Sequence, residues 1–177
     1  RLRTGYAPDG WYTKQTGGTK VTAETVYDAS NPGNHQLYFR WIPLDYTIKF
    51  NKDNGDAIQE FRRTFGTTLN IYENLVNLKK DGYTFMGWTS SDTSLLPDLD
   101  ANVQSVTVPA GDVTYTAVWQ LNKDVNITVY DVDGERIEGA TVTMSGITGS
   151  QTTNSSGVGT FAQVAVGEYT ATATIGG

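Results

Sequence analysis

Histidine occurs once in the chain, at position 35, and cysteine does not occur at all. A structural zinc site takes about four ligands, drawn mainly from histidine, cysteine and carboxylates, so a lone histidine cannot supply most of them. A serine-histidine-acid triad needs a presented serine, and the sequence has no Gly-x-Ser-x-Gly motif for that role. We therefore expect His35, which follows the Asn31-Pro32-Gly33 turn signal, to be an exposed loop residue.

Two short stretches bring together several side-chain oxygens, which are the ligands that calcium prefers. They are Asn51–Asp56 (NKDNGD) and Asp131–Glu135 (DVDGE). Neither has the residue spacing and final glutamate of an EF-hand calcium loop. Asparagine and aspartate before glycine are also the residues that tight hairpin turns require. We therefore interpret both stretches as turns and predict no metal-binding residue.

The four tryptophans of the chain form two matched pairs. Gly5–Trp11 (GYAPDGW) is matched by Gly82–Trp88 (GYTFMGW) 77 positions later, and Trp41 is matched by Trp119 78 positions later. Tryptophans could form a platform for sugars. However, the alternation of apolar residues along Val113–Trp119 places its tryptophan on one face with valine, tyrosine and alanine. Because burying one aromatic side chain contributes about 3 kcal/mol, we predict that all four are core residues of a duplicated module.

The composition excludes several classes of function. The 177 residues carry a net charge of −6, so no basic surface is available to neutralise nucleic-acid phosphates. Absence of cysteine excludes disulfides and thiolate chemistry. No apolar run reaches the ~20 residues of a transmembrane helix, and neither a signal peptide nor a sorting signal is visible. The chain opens inside a repeat, so we expect it to be a piece of a longer protein.

The second copy has the residue pattern of a complete module. Alternation and turn signals predict four strands, at Tyr46–Phe50, Ile58–Phe65, Tyr83–Trp88 and Val113–Trp119, with a short edge piece at Ser105–Val108. Spacing of apolar residues at i, i+4 and i+7 predicts a helix over Ile71–Lys80, capped by Thr68 or Asn70 and followed by Gly82. The predicted order of elements is therefore strand, strand, helix, strand, strand, with one helix across a mixed sheet.

This pattern resembles the Listeria–Bacteroides repeat, the B-repeat type of internalins. The resemblance rests on Tyr46–Phe50, Gly82–Trp88 and Thr114–Trp119, and it extends in part to the first copy, which departs from the family at Ala7–Asp9. It implies a ubiquitin-like β-grasp fold that occurs in tandem on bacterial surface proteins as a stalk or interaction spacer. We predict that residues 1–43 are the back half of such a repeat and that residues 44–120 are a complete one, joined by a three-residue linker at Ile42–Leu44.

Residues 121–177 show a different pattern. Five short strands at roughly 8–12-residue spacing predict a β-sandwich. The series Asp133-Gly134, Gly139-Ala140, Gly157, Phe161 and Gly167-x-Tyr169 is similar to the carboxypeptidase-regulatory-like and collagen-binding-protein B-type families. That resemblance implies a prealbumin-like or Ig-like sandwich, here lacking its last strand, which a strand from another chain could complete.

The fold class predicted from the sequence is mainly β and multi-domain. The predicted function is a non-catalytic stalk or spacer of an extracellular, cell-wall-anchored or secreted adhesin-like protein of bacteria, with no catalytic or cofactor-binding residue, no cofactor, no nucleic-acid partner and no membrane insertion. One alternative is a repeat that itself binds a glycan or a host protein, which exposure of the tryptophans or of Tyr12, Tyr27 and Tyr38 in one patch would favour. Another is an accessory segment of a larger secreted enzyme. The ligand-binding residues are unknown under either alternative.

Overall fold

The computed structural model describes residues 2–27, 30 and 33–176. In this part of the chain strands dominate and the helix is a single turn, which confirms the predicted mainly β class. The strands are β1 (Tyr6–Tyr12), β2 (Tyr38–Pro43), β3 (Asp45–Asn51), β4 (Gln59–Thr64), β5 (Thr68–Asn70), β6 (Tyr83–Ser90), β7 (Leu99–Asp100), β8 (Ser105–Thr107), β9 (Val113–Leu121), β10 (Lys123–Thr128), β11 (Thr141–Met144), β12 (Ser150–Thr152), β13 (Val158–Val164) and β14 (Ala171–Thr174). The helix, α1, spans Ile71–Asn74.

The chain divides into two compact units, and the division passes through β6 and β9. One unit comprises the chain up to Asn77 together with Trp88–Ala117, and the other comprises Leu78–Gly87 together with the chain from Val118 onward. The domain boundaries predicted after residues 43 and 120 stay predictions.

The first copy of the repeat forms a two-stranded antiparallel sheet. Trp11 of β1 lies opposite Phe39 of β2, and Tyr12 lies opposite Tyr38. Residues directly opposite one another share a face of the sheet, so the tryptophan and phenylalanine lie on one face and the two tyrosines on the other. A bulge follows Pro8 and shifts the register there, as expected for a residue that cannot donate to the ladder.

The complete repeat is built on a mixed five-stranded sheet in the order β4-β3-β9-β6-β7. Its strands β3 and β9 run parallel, with Phe50 opposite Tyr115, whereas β3 and β4 are antiparallel. The short strands β5 and β8 pair with each other in a separate sheet. A parallel pair needs a long crossover, which the chain between β3 and β9 provides. This mixed sheet agrees with the predicted β-grasp unit.

The core of the complete repeat is centred on Phe50. Its ring is stacked on Tyr115, with 5.5 Å between ring centroids, and meets Trp88 edge-on at 5.0 Å. All three side chains are almost fully inaccessible to water. The other fully buried large side chains of the repeat are aliphatic: Ile48, Leu69, Ile71, Val108 and Val113.

The helix is shorter than the sequence predicts. It ends at Asn74, and Leu75 is already extended, so the prediction of a helix over Ile71–Lys80 is wrong for its second half. Asn70 occupies the N-cap position, as predicted, but makes no side-chain capping bond, and the alternative cap Thr68 lies in β5. Gly82 is not the residue after the helix but part of the turn that leads into β6.

Tertiary hydrogen bonds explain where the helix ends. Lys52 Nζ donates to the Val76 carbonyl at 2.8 Å, and Asn54 Nδ2 donates to the Asn77 carbonyl at 3.0 Å. Asn77 has the left-handed angle φ 55°, which no helical residue adopts. In a helix over Ile71–Lys80 the Val76 carbonyl would accept from the Lys80 N–H, but here it accepts from the turn between β3 and β4.

The links between successive modules are shorter than predicted. Ile42 and Pro43 belong to β2, so Leu44 alone separates β2 from β3 and the three-residue linker is wrong. In the same way, Asn122 alone separates β9 from β10. A linker of one residue leaves very little freedom between the strands that it joins.

The C-terminal residues form two small sheets around one apolar core. β10 pairs with β13, and a three-stranded sheet has the order β12-β11-β14. The fully buried members of the core are Val142, Met144, Phe161 and Val164. The five strands agree in number and order with the sequence prediction, whereas the resemblance of this segment to particular sandwich families stays a prediction.

Candidate functional site

The tryptophans of the two copies differ in their environments. Trp88 is 1% exposed, which confirms its prediction as a core residue, but Trp11 at the matching position is 49% exposed, so the prediction is wrong there. Trp41 and Trp119 are half-buried, and Trp119 packs edge-on against Phe85 at 5.4 Å. The reason for the difference is that β1 and β2 form a two-stranded sheet of their own, without a counterpart of β3 beside them to help cover Trp11.

Three aromatic side chains lie in a row on the first hairpin. Trp11 and Phe39 meet edge-on at 5.0 Å, and Phe39 meets Trp41 edge-on at 5.0 Å. We call Trp11, Phe39 and Trp41 the aromatic row. Two of its members are substantially exposed, Phe39 by 37% of its surface. The row is the clearest exposed apolar feature of the hairpin and could stack on a flat apolar surface.

The opposite face of this hairpin is held by polar contacts. The Arg40 guanidinium lies 3.8 Å above the ring of Tyr12, whose hydroxyl donates to Asp9 at 2.8 Å. Lys20 Nζ forms an ion pair with the same carboxylate at 2.9 Å. The hydrogen bond from Lys20, and then that from Tyr12, holds the pKa of Asp9 below its ordinary value. The predicted alternative patch of Tyr12, Tyr27 and Tyr38 therefore does not coincide with the aromatic row, because Tyr12 and Tyr38 lie on the other face.

His35 is exposed, as the sequence predicts. Its ring meets Tyr27 edge-on at 5.2 Å, and both residues line an open cleft of about 370 Å³ together with Lys14 and Tyr38. The Asn31-Pro32 part of the predicted turn lies outside the described residues. Among the described residues that line this cleft, none is an acid or a serine that could complete a triad with the histidine.

The two oxygen-rich stretches are turns, as interpreted from the sequence. In the first, Asn51 Oδ1 accepts from the Asp53 N–H at 3.0 Å. In the second, Asp131 Oδ1 accepts from the N–H groups of Asp133 and Glu135, each at 2.9 Å. These are side-chain-to-backbone bonds of Asx turns. Across residues 2–27, 30 and 33–176, no group of three histidine or acidic side chains is close enough to hold a metal ion.

Tyr115 has a strongly perturbed acidity that follows from its position in the core. Its hydroxyl donates to the Pro97 carbonyl at 3.0 Å. Burial, and secondarily the charge of Asp98, raises the pKa of Tyr115 from 10 to about 12. The cause is loss of hydration of the phenolate, so this group marks a packed core and offers no catalytic base at ordinary pH.

We expect the free energy of unfolding to fall as the pH rises from 10 to about 12. In that range the unfolded tyrosine has lost its proton and the folded Tyr115 still holds it, so alkali favours the unfolded state. Urea unfolding at a series of pH values measures the effect. Tyr115→Phe should flatten the dependence, because it removes the titrating hydroxyl. A slope equal to that of the wild type would contradict the assignment.

Comparison with known proteins identifies the repeats. Residues 46–123 match the family described as the divergent InlB B-repeat domain, and residues 2–38 match the family described as the Listeria-Bacteroides repeat domain. These matches cover both copies of the signature, so the predicted tandem repeat is confirmed. The two segments are thus similar to repeats of the Listeria–Bacteroides type.

The chain is also similar to longer proteins. It is 31% identical over 124 residues to Internalin H of Listeria monocytogenes. The aligned region covers 70% of this chain and 21% of that protein. It is 26% identical over 141 residues to a protein of Evansella cellulosilytica predicted to be a Gly-rich membrane protein, covering 79% of this chain and 14% of that protein. The chain thus spans about a fifth or less of these relatives. No solved structure shows significant similarity to it, and among the described residues no helix has the length and apolar character of a membrane span.

Proposed function

We propose that the chain is a non-catalytic spacer segment of a bacterial cell-surface or secreted adhesin-like protein. The observation that carries this proposal is the burial of the signature tryptophan in the complete repeat. In the complete repeat Trp88 is buried against Phe50 in the core, and the oxygen-rich stretches are occupied by their own turns. In the complete repeat the signature tryptophan Trp88 therefore builds the fold, which is what a spacer repeated along a chain requires.

The similarity to Internalin H and to proteins predicted to be membrane proteins supports a location outside the cytoplasm, at the bacterial surface. A segment of this kind would separate other parts of the longer protein from the cell. Its contribution would be length and orientation, with recognition of host or neighbouring-cell molecules left to other parts of that protein.

A second function, binding of a glycan or a host protein by the repeat itself, is favoured by one observation. The aromatic row exposes Trp11 and Phe39 side by side, and sugar rings stack on such side chains. Against it, the position that matches Trp11 in the complete repeat is the buried Trp88. The row therefore corresponds to a core surface, and we place this function second.

A glycan array and a panel of host extracellular-matrix proteins, probed with the chain, separate the two functions. The spacer proposal expects no binding above background. Binding by the row expects a signal that is lost in the double variant Trp11→Ala with Phe39→Ala. The signal should be kept in Tyr130→Ala, which removes a 52% exposed ring elsewhere. A signal with that pattern would overturn the spacer proposal in favour of the second function.

A further inference from the structure

Two turns in the chain occupy the same place in the two copies of the repeat and have the same geometry. They are Arg3–Tyr6 and Lys80–Tyr83, and we call them the joint turns. In each, the N–H of the tyrosine donates to the carbonyl of the first residue at 3.1 Å. The third residue is glycine with φ +81° and +78°, respectively, as the left-handed position of such a turn requires. The cationic first residue lies over the tyrosine ring, at 3.8 Å for arginine and 4.9 Å for lysine.

Each joint turn also holds the single residue that links its module to the next. The Leu44 N–H donates to the Gly5 carbonyl at 2.9 Å, and the Asn122 N–H donates to the Gly82 carbonyl at 2.9 Å. These two linker residues occupy matching positions, one residue after β2 and one after β9. The same hydrogen bond is therefore made at both joints, although an apolar residue stands at one and an amide at the other.

At the first joint the next module adds an apolar contact. The Phe65 N–H donates to the Leu44 carbonyl at 2.8 Å, and the ring of Phe65 meets Tyr6 edge-on at 5.4 Å. The ring also covers Gly5 so closely that a Cβ there would lie 2.5 Å from it. Glycine is thus required at this turn both for its backbone angle and for the approach of the next module.

At the second joint the contact is polar. Thr84 Oγ1 accepts from the Val166 N–H at 3.0 Å and donates to Asn122 Oδ1 at 2.7 Å. A Cβ on Gly82 would lie 3.3 Å from Gln163 Oε1. The module on the far side is here the pair of small sheets that begins with β10, whereas at the first joint it is the five-stranded sheet that begins with β3.

We propose that the joint turn is a docking site for the following module in the chain, built to accept modules of different folds. The backbone part, in which the glycine carbonyl binds the linker N–H, is common to both joints. The side-chain contacts differ with the partner: Tyr6 meets Phe65 at the apolar joint, whereas Thr84 binds Asn122 and the Val166 N–H at the polar joint. These hydrogen bonds and side-chain contacts give each joint a defined geometry. That geometry bears on function only if the chain is a spacer, as proposed.

Amide hydrogen exchange of the wild-type chain gives the first test. The Leu44 and Asn122 amides should exchange at least about tenfold more slowly than the Gly17 and Gly18 amides of an exposed loop, because they are hydrogen-bonded in the folded chain. Exchange at loop rates would overturn the proposal.

Two matched glycine variants separate the loss of contact with the next module from the backbone strain that alanine causes at a left-handed angle. Gly5→Ala and Gly66→Ala both place alanine at a left-handed angle, +81° and +78°, but a Cβ at Gly66 has no atom within 4 Å. We expect Gly5→Ala to accelerate exchange of the Leu44 amide by about tenfold more than Gly66→Ala does. Equal acceleration would show that the turn does not dock the next module.

A near-isosteric variant tests the second joint without risk to the fold. The chain has no cysteine, so spin labels can be placed on cysteines introduced at Val118 and Ser155. We expect a narrow distribution of interspin distances in the wild type and a broader one in Thr84→Val. Thr143→Val, at an exposed position of β11, serves as control and should leave the distribution narrow. An unchanged width in Thr84→Val would overturn the proposal, whatever the binding panels report about the spacer function.

Discussion

Trp88→Ala should lower the free energy of unfolding of the complete repeat by about 3–5 kcal/mol, whereas Trp11→Ala should lower stability by less than about 1 kcal/mol. The two substitutions remove the same side chain from the same position of the repeated signature. Trp88 is 1% exposed and packs on Phe50, and Trp11 is 49% exposed. A loss of this size would remove much of the stability of so small a module, since a domain is stable by only about 5–15 kcal/mol.

Urea or guanidinium unfolding followed by circular dichroism measures both variants. Tryptophan fluorescence is unsuitable as the only probe, because each variant deletes a fluorophore. Similar losses for the two variants would contradict the assignment of Trp88 to the core and of Trp11 to the surface.

Lys52→Met should lower the free energy of unfolding by about 2–3 kcal/mol. The side chain of Lys52 is only 3% exposed, and its Nζ binds both Asp56 at 2.6 Å and the Val76 carbonyl at 2.8 Å. Methionine retains most of the apolar stem but removes both hydrogen bonds. The segment after α1 would thereby lose a tie to the turn between β3 and β4.

Lys49→Met is the control, because Lys49 makes an exposed ion pair with Glu60 at 2.8 Å. Removing that pair should change the free energy of unfolding by no more than about 0.5 kcal/mol.

The pH dependence of the free energy of unfolding gives a second readout for Lys52. The hydrogen bond from Lys52 holds the pKa of Asp56 below its ordinary value, so its contribution is lost as the pH falls through that lowered pKa. Lys52→Met should reduce the loss of unfolding free energy at acid pH. If both the free energy of unfolding and its dependence on acid pH are unchanged, the role given to Lys52 is contradicted.

Strand patterns in the complete repeat were predictable from sequence because one face of each strand is buried. Val113, Tyr115 and Ala117 alternate with exposed or half-exposed residues along β9, and Ile48 and Phe50 do the same along β3. This period of two is a local property of a half-buried strand. It is therefore visible without knowledge of which strands pair.

The end of the helix was not predictable in this way. The apolar spacing of Ile71, Leu75 and Leu78 indicates a helix, but the Val76 carbonyl accepts from Lys52, a residue 24 positions earlier. Such a contact depends on the tertiary fold and leaves no periodic signal near the helix. The exposure of Trp11 was not predictable for a related reason. Matching residues of a repeat are equally buried only when the same strands pack over them in both copies.

The sequence carries a signal for the joint turns, because the cations Arg3 and Lys80 stand two residues before the signature glycine in both copies. The role of these turns depends on the hydrogen bond that each accepts from a linker N–H. That bond is a tertiary contact and has no local sequence pattern. A cation two residues before a Gly-Tyr signature, with a short linker after the closing strand, is the pattern that would predict this joint in other chains.

The most direct test of the proposed spacer function places the chain in a displayed protein, between a cell-surface anchor and a binding domain of known target. Residues 46–123 would be replaced by an unrelated β-grasp domain of similar length, and binding of the displayed protein to its target surface would be measured. The account predicts that binding is retained after the exchange and reduced when the same residues are deleted. Loss of binding after the exchange, in a protein that is folded and displayed at the normal level, would contradict it.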